Sequence, residues 1–197
     1  MMLNATIRQA IHENGGVITA SQVQALGFSK MLLSNYVKAG MLDRAAHGIY
    51  MLPGEIEDDM YTLMLRSKKL IFSHESALFL NGLSQRTPFI HSVTIPSNAA
   101  IPQSMKGDCV FYYVKPELHL MGMIEKPTTF GHTVRCYNPE RTVCDLLRNR
   151  SRCDEETVLG ALKRFAQSKD KNLNLLSEYA AKLSVTAALK KYMEVLL

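Results

Sequence analysis

Lys30, Met31, Ser34, Asn35 and Lys38 fall within nine residues of one another in the stretch SKMLLSNYVKAG, and Arg44 and His47 follow shortly after. At 100° per residue, Leu33, Tyr36 and Val37 share one side of a helix, at i, i+3 and i+4. Met31, Asn35 and Lys38 point the opposite way, with Ser34 on the flank and Lys30 in the first turn. This outward set offers an amide, a hydroxyl and two ammonium groups, and no acid. A helix that merely faces water mixes both signs of charge; donors of this kind reach phosphate oxygens and base edges. The chemistry expected of these residues is recognition of double-stranded DNA, and the alternative is an ordinary solvated face.

The elements around them are strongly punctuated. Ala5 to Asn14 carries Ile7, Ala10 and Ile11 at helical spacing and ends at Gly15-Gly16. Thr19 and Gln22 fit a capping box that opens a helix of about seven residues, stopped at Gly27. Phe28 leads into Ser29, an N-cap for a helix reaching Ala39, and Gly40 stops that one. Helix, short helix, turn and third helix is the helix-turn-helix order. Asp43–Ala46 and Ile49–Leu52 read as two strands joined by a two-residue turn at His47-Gly48 that needs positive φ. A hairpin directly after a recognition helix is a wing, with Arg44 and His47 near its tip, although His47 is equally well read as a turn residue. Pro53-Gly54 closes the unit before the acidic run 55–59. Residues 1–54 are therefore expected to form a winged helix-turn-helix. They hold four Lys/Arg and two Asp/Glu. So few cations predict a weak single-site binder that gains from self-association on adjacent half-sites.

Residues 57–197 read as a mixed α/β domain with a helical C-terminal half, which makes the whole chain α+β. Met60, Leu63, Met64 and Leu65 predict a helix toward Lys69. Ser73 is an N-cap candidate, with Ser76 at N3, for a helix ending at Gly82. His91–Pro96 and Cys109–Val114 predict strands, and Thr128–Phe130 with Thr133–Tyr137 predicts a hairpin turning at Gly131-His132. Helices are expected from Pro139 through Leu147, from Asp154 with Lys163 and Arg164 outward, over Asn172–Leu183 and over Thr186–Leu197. The basic run Arg148–Arg152 lies in a loop, a solvated end or a second contact to DNA or a partner.

Composition narrows the remaining classes. With 47% hydrophobic residues among 197, the chain can bury a core. A net charge of +5 and a pI near 9.0 favour an anionic partner. Four cysteines without C-x-x-C pairing fit reduced thiols in a cytosolic protein. Neither a signal-peptide core nor an apolar run long enough for a bilayer is visible, so a cytoplasmic location and no membrane contact are expected. His74-Glu75 would begin an H-E-x-x-H zinc motif, but Leu78 stands where its second histidine is needed. No phosphate-cradling glycine loop, nucleophile elbow or nuclease carboxylate–lysine spacing is present. The expectation is no enzyme, no cofactor and no metal.

Taken together, GFSKMLLSNYVKAGMLDRAAHGIYMLPG, FSHESALFLNGLSQRTP, NPERTVCDLLRNR and KDKNLNLLSEYAAKLSVTAALKKYMEVLL resemble the AbiEi family, antitoxins of abortive-infection, type IV toxin–antitoxin systems. The resemblance implies an N-terminal winged helix that binds inverted repeats in its own promoter and represses it. It also implies a C-terminal domain that counters a cognate nucleotidyltransferase-like toxin, without a stable complex being required. A stand-alone regulator whose second domain senses a ligand or mediates assembly is the alternative.

Overall fold

The computed structural model describes residues 2–101 and 103–196, so the expected end of the last helix at Leu197 lies outside the described residues. The chain forms two compact units: residues 1–68 with 129–132, and residues 69–128 with 133–197.

The first unit starts with helix α1 (Ala5–Glu13), where Asn4 Oδ1 accepts from the Thr6 and Ile7 amides at 2.9 and 3.4 Å. That cap satisfies two amides that have no partner inside the helix. A short strand β1 (Val17–Thr19) leads into α2 (Ala20–Ala25). The expected capping box is present: Thr19 Oγ1 accepts from the Gln22 amide at 3.2 Å and Gln22 Oε1 from the Thr19 amide at 2.8 Å. Gly27, at φ +86°, makes the left-handed turn that ends α2 and frees the chain to restart at Ser29. Helix α3 (Lys30–Lys38) is followed by strands β2 (Asp43–Ala46) and β3 (Ile49–Met51), then by helix α4 (Asp59–Arg66). The strands form an antiparallel sheet in the order β1-β3-β2.

Ile7, Ile11, Ile18, Val23, Leu33 and Leu42 are wholly buried at the centre of this unit, with Tyr36 beside them. Each such apolar side chain contributes about 1.5–3 kcal/mol of burial. The Tyr36 hydroxyl accepts from the Asn4 amide at 3.1 Å, which ties α3 to the start of α1. The segment 129–132 is anchored by His132. Its Nδ1 lies 2.7 Å from Asp58 Oδ2, its Nε2 lies 2.8 Å from the Gly15 carbonyl, and its ring stacks on Tyr61 at 4.4 Å. Asp58 is also the N-cap of α4, its Oδ1 accepting from the Tyr61 amide at 3.2 Å.

The second unit is a five-stranded mixed sheet with helices. Its strands are β4 (Ile71–Phe72), β5 (His91–Pro96), β6 (Cys109–Val114), β7 (Met123–Pro127) and β8 (Thr133–Tyr137), ordered β6-β5-β4-β8-β7. The helices are α5 (His74–Leu80), α6 (Pro139–Arg148), α7 (Glu155–Gln167), α8 (Leu173–Lys182) and α9 (Thr186–Leu196). Asn138, Asp154 and Asn172 cap α6, α7 and α8 with side-chain oxygens. Val143, Leu146 and Leu147 of α6 pack with Leu162, Phe165, Leu176 and Ala180 in one apolar cluster. Helices and two separate sheets make the α+β arrangement expected.

Three local expectations are corrected. The first strand of the hairpin is Met123–Pro127, not Thr128–Phe130: its register pairs Met123 with Tyr137 and Pro127 with Thr133, which leaves 128–132 as the connection. Ser73 precedes α5 but makes no side-chain cap, because its hydroxyl is engaged by Thr94 Oγ1 at 2.8 Å and by His74 Nδ1 at 3.0 Å. Of the His47-Gly48 turn, only Gly48 takes positive φ, at +76°. A register shift between Arg44 and Ala46 supplies the remaining twist.

Candidate nucleic-acid interface

Helix α3 is held by three devices. Ser29 Oγ accepts from the Met31 amide at 3.2 Å and fixes the first turn. Leu33 and Tyr36 sink into the core, with Val37 and Phe28 half-buried beside them. Gly40, at φ +66°, turns the chain toward β2. That clamping decides which side is left outside. Lys30, Met31, Ser34, Asn35 and Lys38 are all exposed, Met31 in the first turn to 71%. Lysine near the C-terminal end of a helix is also favoured by the helix dipole.

Arg44 and His47 meet on the β2–β3 hairpin. Arg44 Nη2 lies 3.1 Å from His47 Nδ1, and Arg44 Nε reaches the Ala46 carbonyl at 3.4 Å. A guanidinium only donates, so Nδ1 is the acceptor in this contact and Nε2 carries the ring hydrogen. Both residues are exposed. The structure thus brings together Lys30, Met31, Ser34, Asn35 and Lys38 on one helix face, and Arg44 with His47 on the hairpin.

The second unit holds polar groups of another kind. His74, at φ +47°, is buried and stacks on Tyr112 with ring centroids 3.4 Å apart. Its Nε2 lies 3.1 Å from Asn149 Nδ2. Burial pushes its pKa down to about 3, helped by the cations Arg152 and Arg141, so the imidazole is neutral near neutral pH. Arg141 is wholly buried: its Nε donates to both Asp145 carboxylate oxygens at 3.0 Å, and its Nη1 to the Leu118 and Met121 carbonyls at 2.9 Å. Burial raises the pKa of Asp145 against the pull of that guanidinium. These groups are sealed in the interior and work as structural ties. Of the basic run, Arg152 lies over the Tyr112 ring at 4.2 Å, and its Nη2 lies 3.4 Å from the Phe111 carbonyl. No group of three or more metal-ligating side chains occurs among the described residues. No helix of the described residues is long and apolar enough to cross a membrane.

The first unit thus combines helices α1–α4 and a three-stranded sheet with an exposed face of α3 that carries no acid. Comparison with known families gives it a particular place. Residues 3–89 match the family model described as the transcriptional regulator, AbiEi antitoxin N-terminal domain. Among solved structures it is similar to the crystal structure of the RV2827C protein from Mycobacterium tuberculosis. The TM-score is 0.65 at 12% identity, covering 91% of this chain and 72% of that one, a likeness of fold alone. No curated protein matches.

Proposed function

We propose that the first unit is a winged helix-turn-helix and that the chain is an autorepressing antitoxin of a type IV toxin–antitoxin system. On this reading α3 enters the major groove of the operator and the β2–β3 hairpin is the wing. Lys30, Lys38 and Arg44 contact phosphate, while Ser34 and Asn35 reach base edges, with Met31 against the groove floor. His47 presents its Nε2 hydrogen from the wing. Two copies bind inverted repeats in the chain's own promoter, and the second unit counters a nucleotidyltransferase-like toxin.

The observation that carries the reading is the facing of α3. Its apolar side is clamped and its donor-bearing side is in solvent, inside the stretch 3–89 that matches a transcriptional-regulator antitoxin domain model. The test separates the two activities. Chains carrying Lys38→Ala and Arg44→Ala together lose repression of a reporter driven by their own promoter, yet still rescue growth when co-expressed with the neighbouring gene product. Undiminished repression would exclude α3 and the wing as the DNA face. Absence of rescue by the unaltered chain would exclude the antitoxin role.

A further inference from the structure

The basic character of this protein does not reside in its first unit. Residues 1–68 with 129–132 hold six Lys/Arg and six Asp/Glu, whereas the second unit holds seventeen against twelve. The whole excess of +5 thus belongs to the unit that has no assigned anionic partner.

A groove of about 370 Å³ runs between the 83–86 loop and α7, and it concentrates part of that excess. Arg86, Lys163 and Arg164 line it, together with Ser84 and Thr157, whose hydroxyls donate to the Arg86 carbonyl and to Asp154. Arg164 is fixed in place, its Nη1 donating to the Leu83 carbonyl at 3.2 Å. Glu156 is the acid on this groove. It lies 3.8 Å from Arg86, and both side chains are largely in water (78% and 81% exposed), so their pair contributes little and leaves both free to rearrange. An adjoining cleft shares Ser84, Arg86 and Thr157 and adds Phe89 together with a second acid, Glu75. Phe89 is fully exposed, at 106% of its reference area, and Ile90 beside it is half exposed. An aromatic ring held entirely in water next to a cationic groove has an apolar face with nothing on it.

Gly160 supplies an independent observation. It sits inside α7, where glycine costs about 1 kcal/mol relative to alanine. Its backbone is ordinary, and an added Cβ would meet only Arg164 Nη1, at 3.9 Å. Neither conformation nor packing demands glycine here. Gly160 is one of the residues lining the groove, so a large side chain there would project into it.

We propose that this groove binds the nucleotide unit of single-stranded RNA, with the phosphate on Arg86, Lys163 and Arg164 and the base stacked on Phe89. The combination is the one that sequence-tolerant single-strand binders use: cations along the backbone and an aromatic face for the base. The groove volume suits one nucleotide, which is also the unit a free nucleoside triphosphate would present.

The test titrates the full-length protein into a short fluorescein-labelled oligouridylate at low salt and follows anisotropy. Saturable binding is expected. Phe89→Ala weakens it by roughly 5- to 150-fold, the range for losing one base stack, without moving the melting temperature. Lys163→Ala weakens it and lowers the salt slope by about 0.7. Gly160→Leu blocks it, while Lys191→Ala, an equal charge change outside the groove lining, leaves it intact. Full competition by UTP identifies the site as one for a free nucleotide; competition only by unlabelled oligomer identifies it as one for a strand. No saturable binding, wild-type affinity in both Phe89→Ala and Lys163→Ala, or an equal loss in Lys191→Ala would each overturn the proposal. Binding of duplex promoter DNA is unaltered in all four variants, so this outcome is read separately from operator recognition.

Discussion

Removing one ammonium group from α3 gives a measurable quantity that also counts copies on the DNA. Lys30, Lys38 and Arg44 are the exposed Lys/Arg side chains of α3 and the hairpin. If each neutralises one phosphate, a single copy gives a slope of log affinity against log salt of about −2.7, and two copies on one operator give about −5.4. Between 50 and 200 mM salt the first corresponds to a loss of roughly 40-fold and the second to one of roughly 2,000-fold. Lys38→Ala then flattens the slope by about 0.9 for one copy and by about 1.8 for two. The assay is fluorescence anisotropy on a labelled promoter duplex over a salt series, with Arg44→Ala in parallel and Lys182→Ala as control. Lys182 lies on α8 and is engaged with Glu178 at 2.6 Å, so its loss leaves the slope unchanged. Slopes unchanged in both Lys38→Ala and Arg44→Ala would refute the placement of phosphates on this face. A slope near −2.7 that saturates at one copy per duplex would refute paired binding.

Four further outcomes follow from particular residues. His74, held at a pKa of about 3 by burial and nearby cations, resists protonation that the unfolded chain accepts near 6.5. Stability is therefore lost as pH falls through that window, by about 1.4 kcal/mol per unit and about 2 kcal/mol at pH 5. His74→Asn, which tolerates the positive φ, removes that slope in urea titrations; an identical pH profile would contradict it. Gly15 sits at φ +68°, and a Cβ there would come 2.4 Å from His132 Nε2, so Gly15→Ala costs about 1–3 kcal/mol by calorimetry. Gly160→Ala raises the melting temperature, by the equivalent of roughly 0.5–1 kcal/mol, because a helix-interior glycine is replaced where its Cβ has room. Leu33→Ala, cut from a wholly buried position, costs about 2–5 kcal/mol in chemical denaturation and abolishes promoter binding with it.

What could be read from the residues alone was the part written in local chemistry. Thr19 with Gln22, Ser29 with Gly27 and Gly40, and Asp154 ahead of α7 each announce a helix end by satisfying amides that the helix itself cannot. The i, i+3, i+4 spacing of Leu33, Tyr36 and Val37 gave the facing of α3 for the same reason. Elements whose identity depends on distant pairing were not legible. β1 spans three residues and β4 two, too short for alternation to register, and each exists because a partner strand lies alongside. β7 was placed five residues too late because Met123–Pro127 carries a charged pair where an apolar strand centre was expected. Arg141 resembles a surface residue in NPERTVCD, yet the fold buries it between Asp145, two carbonyls and the Tyr137 ring. His132 looked like half of a turn, and its tie to Gly15 and Asp58 spans more than seventy residues. The groove along α7 is not legible in the sequence, because Lys163 and Arg164 lie far along the chain from Arg86 and reach it only after folding.

The division of charge bears on how a DNA-reading first unit would achieve selectivity. Non-specific attraction to duplex DNA scales with the cations a protein brings to it. A unit with six cations and six acids brings little, and three of those cations, Lys30, Lys38 and Arg44, lie on α3 and the hairpin. The acids are not spread evenly either: Glu55, Glu57, Asp58 and Asp59 follow the hairpin, and Asp58 is occupied by the α4 cap and by His132. Such a unit gains affinity chiefly where Ser34 and Asn35 find matching base edges and where a second copy doubles the contact. Each mismatched base pair then costs about 1–3 kcal/mol against a small electrostatic background. A mutation adding lysine to this unit would accordingly raise affinity for every duplex while narrowing the gap between operator and random sequence. The second unit, with its surplus of cations and a ring standing in water, is built for a less discriminating anionic partner.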